Sequence, residues 1–252
     1  MSTRIDALVV AVPAHDEEAL LGSCLRAVLA AVDAVRPHVR DVTLCVALDR
    51  CSDGSADIAR ALGAPVVVLQ AGAVGAARAA AVTHGLATLG ERASFAARRI
   101  WTAHTDADSE VSEHWLTHQI ELATAGAEVI VGTVEPRFAD LDDEQVRAWH
   151  ATHTPVVANG AVHGANLGIR ADVLHRAGGF PAIAVHEDVR LVERARGLGA
   201  RVVASDGARV LTSGRSFGRA PDGYARYLRE DMLRDPRAGA TDGRQAVAAP
   251  LS

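Results

Sequence analysis

Cysteine is scarce in this 252-residue chain: Cys24, Cys45 and Cys51 are an odd set with no C-x-x-C pair. That excludes a disulfide framework and a cysteine-ligated zinc, and it points to a reducing, cytoplasmic setting. Aromatic residues amount to 4%, too few and too dispersed for a stacking platform, so Trp101, Trp115 and Trp149 are expected in the core or between helices. No window supplies the roughly 18 consecutive apolar residues of an integral membrane segment. The apolar run from Ile5 to Val12 is too short, and too soon ended by Pro13, for a signal peptide. Basic runs are missing too, and a net charge of -5 gives no electrostatic reason to expect a nucleic-acid partner. Eleven histidines include no H-E-x-x-H; His114 with His118, and His150 with His153, lack a partner acid, so surface positions are expected.

What is present is an ordinary globular mix, 49% hydrophobic and 23% charged, enough for a sizeable core. One domain is expected over residues 1–230, followed by a flexible tail over 231–252 rich in Ala, Gly, Arg and Asp. Strand-length apolar runs recur at Ala7 to Val12, Val42 to Leu48, Pro65 to Leu69, Ile100 to Ala103 and Val129 to Val134, with helical segments between them. This alternation predicts an α/β fold with a mostly parallel sheet and helices on both faces. In the first helix Leu21, Leu25, Val28, Val32 and Val35 share one stripe, and Asp16, Glu17 and Glu18 are expected in its first turn, where the helix dipole favours acids. Further helices are predicted at Asp53 to Leu62, Val74 to Leu89, Ser112 to Ala125 and Glu187 to Leu198.

Ligands of open α/β sheets bind beyond the carboxyl ends of the strands. Pro13 to Glu17, Asp49 to Asp53, Gly72 to Arg78 and Asp106 to Asp108 each follow a predicted strand, so four polar or Gly-bearing loops are expected on one rim. The pair Asp106-Ala107-Asp108 is the most informative of them. Two carboxylates one residue apart suit a hard divalent cation that leaves sites for substrate phosphate and water; a solvated acidic turn is the plain alternative.

Taken in order, the motifs resemble glycosyltransferase family 2, the nucleotide-sugar-dependent transferases with the A-type, Rossmann-like fold. Val12-Pro13-Ala14-His15-Asp16-Glu17-Glu18 is similar to that family's Val-Pro-x-x-Asn-Glu-Glu opening, with Asp16 in place of Asn. Asp49-Arg50-Cys51-Ser52-Asp53 is similar to its Asp-rich loop after the second strand, and Gly72 to Arg78 to its Gly-rich turn into a helix. Asp106-Ala107-Asp108 is similar to its Asp-x-Asp. Gly164-Ala165-Asn166 and Gly178-Gly179-Phe180 resemble its sugar-side and acceptor-side segments, and Glu187-Asp188 its Glu-Asp motif.

The resemblance implies a nucleotide-binding half over about 1–134 and an acceptor-side half over about 135–230. It places Pro13, Ala14, Glu17, Asp49, Asp53, Arg78 and Asp106 at the nucleotide, with Gly75 allowing a close backbone approach. It implies a divalent metal, Mn2+ or Mg2+, on Asp108 and Asp106, and Gly164 and Asn166 at the donor sugar or acceptor. Asp188 becomes the general base, with Glu187 beside it; an acid-rich helix start is the plain alternative. Arg215 and Arg219, after the last strand-like run, either clamp the diphosphate or are exposed loop arginines. No histidine follows His186 to complete a metal shell.

The activity so implied is non-processive and hexosyltransferase-like, from a nucleoside-diphosphate sugar to an unidentified acceptor hydroxyl; the Glu-Asp motif resembles that of inverting members, and retention is the alternative, since the motif alone does not fix stereochemistry. The Gln-x-x-Arg-Trp motif of processive synthases is missing. Monomer and homodimer both remain open. A sugar-phosphate nucleotidyltransferase would carry a Gly-rich basic loop where Pro13 to Glu18 stand. A catalytically silent nucleotide-sugar scaffold is the other rival, and Asp106, Asp108 and Asp188 speak against it.

Overall fold

The structure, a computed structural model, describes residues 4–154, 156–215, 218 and 223–234. Its strands are β1 (Ala7–Ala14), β2 (Asp41–Asp49), β3 (Val66–Leu69), β4 (Ile100–His104), β5 (Ser109–Val111), β6 (Val129–Pro136), β7 (Leu167–Arg170) and β8 (Val202–Thr212). The main helices are α1 (Leu21–Val35), α2 (Ser55–Ala61), α3 (Val74–Arg92), α4 (Trp115–Thr124), α5 (Asp143–Thr152), α6 (Ala171–Arg176) and α7 (Glu187–Gly197). The predicted strands and helices are all present, within a few residues.

Residues on both sides of position 134 join one eight-stranded sheet in the order β3-β2-β1-β4-β7-β6-β8-β5. β1 pairs in parallel with β2 and β4, β2 with β3, and β6 with β8. β7 runs antiparallel between β4 and β6, and β5 antiparallel to β8 at the far edge. The sheet is therefore mostly parallel, with its reversed strands near the Asp106 to Asp108 loop and in the second half.

The twofold alternation of a strand divides β1 between two cores. Leu8, Val10 and Val12 face α1 and α4, packing with Leu25, Val28, Trp115 and Leu116. Ala7, Val9 and Ala11 face the opposite layer, built from α3, α6 and α7. The α3 side is small and tightly seated: a Cβ on Gly85 would stand 3.3 Å from Thr43 Cγ2, so glycine lets the helix backbone lie directly on the sheet. The expected stripe of α1, Leu21, Leu25, Val28, Val32 and Val35, is wholly buried. Trp101, Trp115 and Trp149 are buried as well.

Two local expectations are corrected. α1 begins at Leu21 with no acid in its first turn; Asp16, Glu17 and Glu18 lie in the preceding loop, where distant partners hold them. Nor are the histidines all superficial: His104 is fully buried in β4, its ring edge-on to Phe180 at 4.8 Å. Residues 235–252 of the expected tail, and Arg219, fall outside the described residues.

Candidate functional site

The loops after β1, β2, β3 and β4 converge, as the strand order requires, on one cleft of about 890 Å³. Pro13, Ala14, Glu17, Asp49, Arg78, Asp106, Asp108, Gly164, Glu187, Asp188 and Arg215 all line it. Asp53 and Asn166 do not.

Several acids of this rim hold loops together. Asp49 Oδ1 accepts the backbone N–H groups of Ala71 (2.8 Å) and Gly72 (3.0 Å), and its Oδ2 accepts that of Ala73 (3.0 Å). Asp53 accepts the N–H groups of Glu18 and Ser55 at 2.9 and 3.0 Å. Asp16, with φ 50°, accepts the Ser52 N–H at 2.7 Å, and Glu18 accepts that of Gly54 at 2.8 Å. Ligand atoms of Asp16, Cys51 and Asp53 lie within 4.8 Å of one another, the one such trio among the described residues. The two carboxylates are already engaged by backbone N–H groups, and the Cys51 thiol donates to the Ala14 carbonyl at 3.4 Å, so the trio is a loop junction satisfied from within.

The Asp-x-Asp pair is flanked by guanidinium groups. Asp106 receives Arg78 Nη2. Asp108 Oδ2 receives Arg215 Nη2 at 2.8 Å, and Arg215 also grips Glu17 through Nη2–Oε1 at 2.6 Å and Nη1–Oε2 at 3.0 Å. Burial, with Asp106 adding to it, pushes the Asp108 carboxyl up to about 6 in spite of Arg215. Arg215 is shared by two carboxylates, Glu17 and Asp108, so one guanidinium offsets only part of their negative charge. Oxygen donors with surplus negative charge are what Mg2+ or Mn2+ requires, so the residues present fit such an ion. Among the described residues no third acid, thiol or imidazole gathers with the pair within that 4.8 Å reach.

Arg78, in the second turn of α3, is 2% exposed. Its Nε donates to Glu187 Oε1 at 2.9 Å while Nη2 reaches Asp106, so one buried guanidinium joins the Asp-x-Asp loop to the start of α7. A Cβ on Gly164 would collide with this fork, and one on Gly75 would collide with the Pro181 carbonyl. Gly164 thus serves packing around Arg78, and the Gly75 backbone approaches Pro181 and Glu187 rather than open cleft. His186, with φ 61°, turns the chain into α7. Asp188 follows, its Oδ1 accepting the Val189 N–H at 2.8 Å. Burial raises the Asp188 carboxyl above its ordinary value, opposed by Arg78.

Asn166 is a structural joint. Its Nδ2 donates to the Thr133 and Ala208 carbonyls and its Oδ1 accepts the Trp115 indole N–H, all at 2.9 Å. Other cleft residues escaped the sequence reading. His163, which burial lowers to about 4, sits edge-on to Tyr224 at 5.5 Å, and Arg50 borders the mouth beside Gly72. The adjacency of His163 to the Gly-x-Asn segment was the available signal; Tyr224 offered none.

A family model described as glycosyl transferase family 2 matches residues 9–171, more than half of the chain. No curated protein resembles the chain closely enough to count as a match. The fold is similar to that of S. aureus TarS 1–349 in complex with UDP-GlcNAc, at TM-score 0.60 and 16% identity over 96% of this chain and 68% of that one. It is also similar to the mannosyltransferase PcManGT from Pyrobaculum calidifontis in complex with GDP-Man and Mn2+, at TM-score 0.55 and 18% identity over 94% and 64% of the two chains. Against the longer S. aureus TarS chain the TM-score is 0.56 at 17% identity, and the match spans 83% of this chain but 37% of that one. No helix among the described residues is long and apolar enough to cross a membrane. The family match, together with a cleft rimmed by the Asp-x-Asp and Glu-Asp segments, identifies the chain as a member of glycosyl transferase family 2 and hence as a glycosyltransferase.

Proposed function

We propose that the chain transfers one sugar from a nucleoside-diphosphate sugar to an acceptor hydroxyl, with inversion and with the help of a divalent metal. The observation that carries this reading is the single cleft onto which Asp106, Asp108 and Asp188 open, with Arg78 linking Asp106 to the neighbour of Asp188. Its volume of about 890 Å³ lies near the top of the range for small-molecule sites and suits a nucleotide sugar with an acceptor beside it. The UDP-GlcNAc and GDP-Man bound by the two structural relatives support this class of donor.

Asp106 and Asp108 would hold Mn2+ or Mg2+, which supplies Lewis-acid stabilisation of the departing diphosphate. Asp188 accepts the proton of the acceptor hydroxyl as its oxygen bonds to the anomeric carbon. The bond from that carbon to the diphosphate oxygen breaks, and the electron pair leaves with the nucleoside diphosphate. The raised affinity of Asp188 for a proton suits a base that must accept one. The nucleotide end falls in residues 1–134 and the acceptor end in residues 135–230.

Thermal-shift titration with UDP-, GDP- and dTDP-sugars, with and without Mn2+, tests the reading, because a ligand that binds only the folded state raises its melting temperature. A metal-dependent rise with one donor, followed by its turnover, is expected. Silence toward every donor sinks the proposal, and binding without turnover on any acceptor favours a scaffold.

A further inference from the structure

Two arginines hold the Asp-x-Asp pair, but they are not equally fixed. Arg78 is 2% exposed and boxed in by Gly164 and Glu187. Arg215 is 28% exposed at the side chain and stands on the loop after β8. Asp108 is only 14% exposed; its Oδ1 faces Ser109 Oγ at 3.3 Å and Thr212 Oγ1 at 3.5 Å, and its Oδ2 faces Arg215. Arg215 thus holds Asp108 Oδ2, the oxygen that neither hydroxyl engages.

We infer that Arg215 and a divalent ion are alternative occupants of Asp108, and that a nucleoside diphosphate decides between them; this rests on the donor site proposed above. In the exchange Arg215 releases Asp108 but keeps Glu17, which holds it by two hydrogen bonds of its own. It thus stays at the cleft, available to the diphosphate. Charge explains why the nucleotide is needed. Arg78 is shared by Asp106 and Glu187, and Arg215 by Glu17 and Asp108. A bare dication at Asp108 takes one carboxylate from Arg215 and repels its guanidinium at close range, whereas a diphosphate brings negative charge for both cations. Metal and nucleotide then strengthen each other's binding by the same factor, as linkage demands.

The test is Mn2+ binding, followed through the electron paramagnetic resonance signal of the free ion, on the full chain with and without UDP or GDP. Wild type is expected to bind Mn2+ weakly alone and at least tenfold more tightly with the nucleotide. Arg215→Gln is expected to bind Mn2+ alone about tenfold more tightly than wild type, and to lose most of the nucleotide's effect. Arg215→Lys separates exchange from simple charge, since lysine keeps the charge but cannot bridge two carboxylates as a planar fork does; an affinity between the other two is expected. Wild-type behaviour of the Lys variant, an Arg215→Gln affinity no higher than wild type, or no Mn2+ binding by any of the three overturns the inference. Melting curves confirm that each variant is folded. Failure of the donor-site reading shows separately, as no response of the melting temperature to any nucleotide, and the nucleotide-free Mn2+ comparison still decides the exchange.

Discussion

Arg78 donates its Nε–H to Glu187 Oε1 at 2.9 Å, and neither side chain is more than 5% exposed. Removing one member of a buried, hydrogen-bonded ion pair typically costs about 3–5 kcal/mol, because the other is left charged without compensation. Arg78→Met is expected to lower stability by about that amount in urea denaturation, since it strands Glu187 and Asp106 together. Glu187→Gln leaves Arg78 its bond to Asp106 and is expected to cost less than half as much. Equal losses would show that the fork does not join the two acids energetically.

As the proposed base, Asp188 offers a test that separates chemistry from binding. Its carboxylate accepts the backbone N–H groups of Val189 and Gly164, and asparagine keeps an oxygen to accept with, so Asp188→Asn is expected to keep the fold and the donor affinity. Turnover is expected to fall by about two to four powers of ten, the usual contribution of a positioned base. Donor hydrolysis serves as the assay until an acceptor is found, and wild-type turnover in the variant would remove Asp188 from its role.

Asp108 carries a cost in the folded protein. Its carboxyl is pushed up to about 6 by burial and by Asp106, so the folded state holds its proton over a range where the unfolded chain has lost it. Stability is therefore given up as pH rises from the unfolded value through about 6. Asp108→Asn is expected to abolish Mn2+-dependent nucleotide binding while raising stability at pH 7.5 by on the order of 2 kcal/mol, or about 5 °C for a chain of this size. The advantage is expected to vanish near pH 3.5, where both side chains are neutral. Melting curves from pH 3.5 to 8 check it, and an Asn variant less stable than wild type at pH 7.5 would contradict it.

His104 acts in the opposite direction. Burial, with Arg78 adding to it, holds its folded pKa well below 6.5, so below pH 6.5 the unfolded chain binds a proton that the folded protein refuses. Stability then falls with falling pH by up to about 1.4 kcal/mol per pH unit from this residue. His104→Gln removes the titration and is expected to flatten the stability profile between pH 6.5 and 4.5 relative to wild type. Parallel profiles in chemical denaturation would show that His104 is protonated alike in both states.

Much of the layer structure was legible because it is written in short-range periodicity. The alternation along β1 and the three-and-four spacing from Leu21 to Val35 need only neighbouring residues, and the carboxyl-end rule then gathers four loops on one rim. Strand direction is another matter: Leu167 to Arg170 forms the four-residue β7, and nothing in so short a run says that it runs antiparallel between β4 and β6. Side-chain partners were the least legible. Asp49 reads as a nucleotide contact, and that it also holds the amides of residues 71–73 could not be read from its surroundings in the chain. Glu17 reads as a helix-start acid until Arg215, 198 positions away, takes it. Asn166 reads as a donor-sugar or acceptor residue, and its ties to Trp115 and to two backbone carbonyls were not legible. Each partner comes from another part of the chain, where local pattern carries no information.

The capture of three consecutive loop amides by Asp49 shapes how a diphosphate is to be held. Gly-bearing loops after a strand commonly turn such amides outward as a fixed cradle for phosphate oxygens, but here the N–H groups of Ala71, Gly72 and Ala73 point back into the protein. In the donor site proposed above, the burden passes to full charges, those of Arg215 and of a divalent ion. Attraction between full charges near solvent is screened over about 10 Å at 0.1 M salt, so the proposed donor affinity is expected to weaken steeply with ionic strength.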